Sequence, residues 1–168
     1  IEDNDAATSV NFESANFAVR EDLGPAMITI VLSEASGQDL SVRYASAGGT
    51  ATSGGDYSAI SGKLTFAAGE TSKTVEMMVF DDNEAEIPET ADLVLSSPEN
   101  VTLGDNSTSV VAILDDDQPT MTSDSLSYTV RESAGSVTLA FTLEYERIQS
   151  ASFVFTLIDV DTAAGDDY

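Results

Sequence analysis

The chain has 168 residues, enough for one domain of common size and part of another. Thirty Asp and Glu against six Lys and Arg give a net charge of −24, which disfavours nucleic acid and anionic membranes as partners. The absence of His and Cys removes Ser-His-Asp and Cys-based catalysis and the usual zinc sites, so any metal must be hard and oxygen-liganded, calcium ahead of magnesium or manganese.

Apolar residues make up 42% of the chain, enough for a core, and they fall in short alternating runs. No run approaches the roughly 20 apolar residues that span a bilayer. The opening Ile1-Glu2-Asp3-Asn4-Asp5 lacks a basic-then-apolar leader, so the expectation is a segment of a longer chain. Phe17 and Val19 then form a first strand that ends at Glu21. Ile28, Ile30 and Leu32 alternate with Met27, Thr29 and Val31; Leu40, Val42 and Tyr44 follow Ser36-Gly37. Leu64 and Phe66 stop at Ala68-Gly69-Glu70, and Val75, Met77 and Val79 precede Asp81-Asp82. Leu93 and Leu95 run to Ser97-Pro98, and Val111 and Ile113 close the series. The run 110–114 is apolar throughout, which fits a strand buried on both sides or one pairing near a domain junction. About seven short strands without a helical run predict an all-β fold, a seven-strand antiparallel sandwich of immunoglobulin-like type.

The chain also repeats itself. Phe17–Tyr57 aligns without gaps on Tyr128–Tyr168 at an offset of 111, matching Val19-Arg20-Glu21 with Val130-Arg131-Glu132 and Gly54, Asp56 and Tyr57 with Gly165, Asp167 and Tyr168. Ile1–Asp5 echoes Ile113–Asp117 at an offset of 112. A repeat of that length is a whole domain rather than a solenoid unit. The expected division is therefore 1–5 as the tail of a preceding repeat, 6–117 as a complete domain, and 118–168 as the N-terminal half of the next. Gln118-Pro119 would be the joint, and proline there suits a short, semi-rigid linker.

The acidic residues concentrate at strand ends. Glu21 closes the first strand, and Asp56 lies in Gly54-Gly55-Asp56-Tyr57. Asp81 and Asp82 end another strand, with Glu84, Glu86 and Glu89 in the loop that Pro88 keeps from becoming a helix. Asp115, Asp116 and Asp117 follow the last strand. In a sandwich these ends gather at one pole, where two like charges 4 Å apart repel by roughly 4 kcal/mol at an effective dielectric of 20. Such a cluster takes up protons or binds cations, and calcium accepts 6–8 oxygens in flexible geometry. Solvated loops are the plain alternative, but acid recurring at four separated segments favours a cation site. An EF-hand is excluded, since the loop from Asp81 has Ala85 and Glu86 where that motif needs a ligand and a glycine.

Gly49-Thr50-Ala51, Gly54-x-Asp56-Tyr57, Gly62-x-Leu64-x-Phe66, Gly69-Glu70-x-x-Lys73, Asp81-Asp82-x-x-x-Glu86-x-x-Glu89 and Ile113-x-Asp115-Asp116-Asp117 stand in that order. Together they resemble the Calx-beta domain, known from sodium/calcium exchanger regulatory regions, an integrin beta subunit and large repetitive surface proteins. The resemblance implies an immunoglobulin-like sandwich with calcium at one pole. It implies Glu21, Asp56, Asp81, Asp82, Glu86, Glu89, Asp115, Asp116 and Asp117 as carboxylate ligands, and Glu84 through its backbone carbonyl. Asn83 departs from the acidic run. Of the next repeat only Glu132 and Asp167 are present, and Asp3 and Asp5 belong to a site upstream.

The expected function is a calcium-binding structural or adhesive module of a multi-repeat surface or secreted protein, with calcium stiffening the pole and the joint between repeats. Its partners would be calcium ions, neighbouring Calx-beta repeats, and a cell-surface protein or glycan; its place would be extracellular or at the cell surface. The alternatives are a calcium-sensing regulatory domain of a membrane protein and a metal-independent acidic spacer. A glycosidase using two carboxylates is disfavoured, because the chain has no Trp for sugar stacking and the acids lie at a strand-end pole. Asn100-Val101-Thr102 and Asn106-Ser107-Thr108 match the glycosylation acceptor pattern, which matters only in a secreted eukaryotic protein.

Overall fold

The computed structural model describes residues 8–125, 136, 138–144, 152 and 154. Asp3, Asp5, Glu132 and Asp167 lie outside the described residues, as does the whole stretch 1–7. The first strand of the fold is Ser9–Phe12 (β1), with Val10 and Phe12 facing inward. At Ser14 the chain turns, the hydroxyl donating to the Asn16 carbonyl while accepting the Asn16 N–H. The turn carries the chain across to the opposite sheet, where Asn16–Arg20 forms β2.

A short 3-10 turn, Glu21–Leu23, links β2 to Ala26–Leu32 (β3). Leu40–Gly49 (β4), Ser61–Phe66 (β5), Ser72–Met77 (β6) and Glu89–Glu99 (β7) follow. The two-residue Thr102–Leu103 (β8) and Thr108–Leu114 (β9) complete a sandwich. One sheet has the order β6-β3-β1-β8 and the other β2-β9-β7-β4-β5. The seven expected strands are present, and β1 and β8 are added to the first sheet; both are short and sit among polar residues, so they carry little pattern of their own. Pairing is mostly antiparallel, but β2 runs parallel to β9 and β1 parallel to β8.

The strands alternate as their sequence period of two requires. Ala26, Ile28, Ile30 and Leu32 of β3 point inward, against Leu40, Val42, Phe66, Leu93 and Leu95 of the facing sheet. In β9, Val111 and Ile113 are buried while Val110, Ala112 and Leu114 stay partly covered. Despite the continuous apolar run, only one face of β9 is fully buried; the other is partly covered, in a strand that lies between β2 and β7 within its sheet.

Two glycines of the sequence signature are needed for close approach. Gly49 has φ +115, and a Cβ there would lie 2.0 Å from the Thr90 carbonyl oxygen of β7. At Gly62 the Tyr44 ring occupies the place of a side chain, its Oη 2.8 Å from where a Cβ would be.

Beyond the sandwich, Thr120–Ser123 (β10) and Phe141–Glu144 (β11) pair as a sheet of their own. Their register, Met121↔Leu143 and Ser123↔Phe141, repeats Val10↔Leu32 and Phe12↔Ile30 at the same offset of 111.

Candidate metal centre

Topology brings the acidic strand ends together. The parallel register of β2 on β9 sets Arg20 opposite Leu114, so Glu21 and Asp115 leave the sheet side by side. β7 enters at the same end, with Glu89 opposite Ile113. β6 approaches from the other sheet. Past its end, Tyr57 bridges Val79 and the Phe80 N–H donates to the Asp56 carbonyl, tying the glycine-rich loop to the approach to Asp81. The Thr52 N–H donates to the Asp56 carboxylate and closes that loop.

Among the described residues, three sets of carboxylates converge, each with one oxygen per residue and all within 4.8 Å: Glu21, Asp81 and Asp116; Glu21, Asp82 and Asp117; and Asp56, Glu86 and Glu89. Glu21 belongs to the first two sets and is only 7% exposed, although Asp81 and Asp82 are exposed. Eight of the ten sequence-derived residues therefore fall into convergent sets. Asp115 belongs to none of them. Its Oδ1 accepts the Asp117 N–H at 3.2 Å and its Oδ2 the Glu86 N–H at 3.0 Å, so it shapes the loops between the sets. The Glu84 carboxylate also stands outside the sets, and its N–H donates to Asp82 Oδ1 at 2.7 Å.

The electrostatics of the pole are strained. Burial, then the charge of Asp115 and a hydrogen bond to it, then Asp82 and Asp117, push the Glu21 carboxyl up to about 8. Burial followed by the Asp56 charge raises Glu86, and burial followed by Asp115 and Asp116 raises Asp117. Glu21 Oε1, Asp116 Oδ1 and Asp117 Oδ2 are buried with no hydrogen-bond partner. Buried polar atoms in folded proteins are nearly always satisfied. Three orphaned carboxylate oxygens at one pole fit a hard, oxygen-seeking cation, and the donor set, which has no nitrogen or sulfur, fits calcium.

One partner in this region was not assigned to the site from sequence. Arg20 Nη2 donates to Asp22 Oδ2 and to Asp116 Oδ2, both at 3.1 Å. The signal was an arginine directly before the strand-end glutamate, recurring as Arg131-Glu132.

The sequence model of the Calx-beta domain matches residues 3–117 and again 115–168. Mouse "Extracellular matrix organizing protein FRAS1" is 30% identical over 132 residues, 75% of this chain, and the chain spans 3% of that relative's length. The apo-form Calx CBD1 domain superposes with a TM-score of 0.64 at 30% identity, covering 67% of this chain and 100% of that one. The calcium binding domain CBD12 of CALX1.1 gives 0.62 at 31% identity, over 64% of this chain and 44% of its own. Among the described residues no helix is long and apolar enough to cross a membrane. The chain belongs to the Calx-beta domain family, whose members are regulatory and structural binding domains and not enzymes.

Proposed function

We propose that this chain is a calcium-binding module of a multi-repeat extracellular protein, with 6–117 as its complete domain and 118–168 opening the next. The observation that carries this reading is Glu21, a buried carboxylate with an orphaned oxygen at the meeting point of two acidic sets. Glu21, Asp81 and Asp116 would hold one ion, Glu21, Asp82 and Asp117 a second, and Asp56, Glu86 and Glu89 a third. Asp115 would act by holding Glu86 and Asp117 in place, and Glu84 would offer its carbonyl. Calcium supplies the positive charge that lets these groups stay ionised at short range. Asp115–Asp117 directly precede Gln118-Pro119, so fixing the pole would stiffen the joint to the following repeat. The extracellular setting draws on the matrix relative, and the repeat division on the recurring β1–β3 register in β10–β11.

Thermal unfolding of residues 6–118 in EDTA, in magnesium and in calcium tests the reading. Calcium at a hundredfold excess over its dissociation constant adds about 2.7 kcal/mol, a rise in Tm on the order of 10 °C. The rise should be specific to calcium and should shrink in Asp81→Asn/Asp116→Asn. No rise, or an equal rise in sodium chloride of matched ionic strength, would leave the acidic-spacer reading in its place.

A further inference from the structure

We infer that Arg20 is a positioning residue for the metal pole: it grips one oxygen of Asp116 from outside the cluster and so presents the other to the cation. The inference rests on the calcium reading above. Arg20 ends β2 on its exposed side, while the next residue, Glu21, turns inward and is buried. The two side chains therefore reach Asp116 from opposite directions. Arg20 Nη2 has two hydrogens and directs them to Asp22 Oδ2 and Asp116 Oδ2, each at 3.1 Å. With Oδ2 engaged, Asp116 Oδ1 is the oxygen left buried and unpartnered. One oxygen of Asp116 converges with oxygens of Glu21 and Asp81.

The arrangement matches a general pattern in which groups behind metal ligands fix their orientation, and loss of such a group costs 10–100-fold in metal affinity. It also sets two effects against each other, which makes the sign of a mutation informative. Arg20 is a positive charge beside a cation site, so by charge alone its removal would tighten calcium binding. As a half-exposed group its field is weakened by solvent and salt. A carboxylate freed to rotate loses its fixed aim, and the positioning effect is the larger of the two. The recurrence of the pair as Arg131-Glu132 in the second repeat is what a working part of the site would leave in the sequence.

The test is calorimetric calcium titration of the 168-residue chain and its Arg20→Gln, Arg20→Lys, Asp116→Asn and Arg20→Gln/Asp116→Asn variants, with circular dichroism in EDTA as the folding check. Arg20→Gln should weaken binding by about tenfold. Arg20→Lys, which keeps a donor and the charge on a different stem, should recover part of the loss. In the Asp116→Asn background, Arg20→Gln should cost less than twofold, because the ligand it aims is already gone. If Arg20→Gln does not fold, Arg20→Met, which keeps the packing of the stem, takes its place with the same expected loss. Binding by Arg20→Gln that equals or exceeds the parent would overturn the positioning role while leaving the calcium reading intact. An equal loss in both backgrounds would overturn it as well. A parent chain that takes up no calcium would instead refute the calcium reading.

Discussion

Glu21 is where burial and charge conflict most sharply. Its carboxyl rises from 4.5 to about 8 because it is buried and faces Asp115, Asp82 and Asp117. An acid with a raised folded pKa holds its proton in the folded chain at pH values where the unfolded chain has released it. Its contribution to stability is complete below about pH 4.5 and is lost as pH rises through about 8. Glu86 and Asp117 shift in the same direction. Unfolding in EDTA should therefore give a Tm that declines from pH 5 to 8, and Glu21→Gln should flatten that decline. The same substitution should raise Tm in EDTA at pH 8, since a neutral amide removes a repelling charge, yet reduce the gain from calcium. A Tm in EDTA that falls on Glu21→Gln would show that the carboxylate is held by something other than a cation. Calcium affinity should also drop below pH 8, because the ion must displace the Glu21 proton. The charges of the individual residues were legible in the sequence. That Glu21 alone among them would be buried was not, because burial depends on the 3-10 turn that folds it inward beneath the loops.

At the scale of elements, the alternating runs of β3 and β4 were readable because one face of each meets the opposite sheet, whereas β9 was readable as a strand but not by face, its residues 110–114 being apolar throughout. β1 and β8 were not, since four and two residues carry too little pattern to separate a strand from a loop. The parallel register of β2 on β9 was likewise unreadable, although it is what delivers Glu21 to Asp115. One glycine of the signature sits where two backbones crowd. Gly49 is the last residue of β4, paired with Ala91 near the start of β7, and its positive φ and the 2.0 Å approach of the Thr90 oxygen leave no room for a methyl. Gly49→Ala should lower stability by about 2 kcal/mol or more, through strain of about 1–3 kcal/mol plus displacement of β7. Urea unfolding would register this as a lower midpoint with unchanged slope. A midpoint equal to the parent's would mean that β4 and β7 are not packed as described.

For the whole molecule, a net charge of −24 must be accommodated by screening or by bound cations. Sodium chloride should raise the EDTA Tm gradually as the Debye length shrinks from about 10 Å at 0.1 M to about 3 Å at 1 M. Calcium at matched ionic strength should act at far lower concentration and saturate, which a titration of Tm against each salt would separate. By itself the sequence determined the fold class, the repeat, the absence of nitrogen and sulfur ligands, and the acidic segments, because periodicity, composition and spacing are properties of the chain. Only the tertiary structure decided how those acids are grouped. It divides eight of them among three sets, turns Asp115 to hold the loops with both its oxygens, and places Arg20 behind Asp116. The physical reason is that a carboxylate's role depends on which hydrogen bonds and charges surround it. Those neighbours come from strand ends up to 96 residues apart, brought together by sheet register.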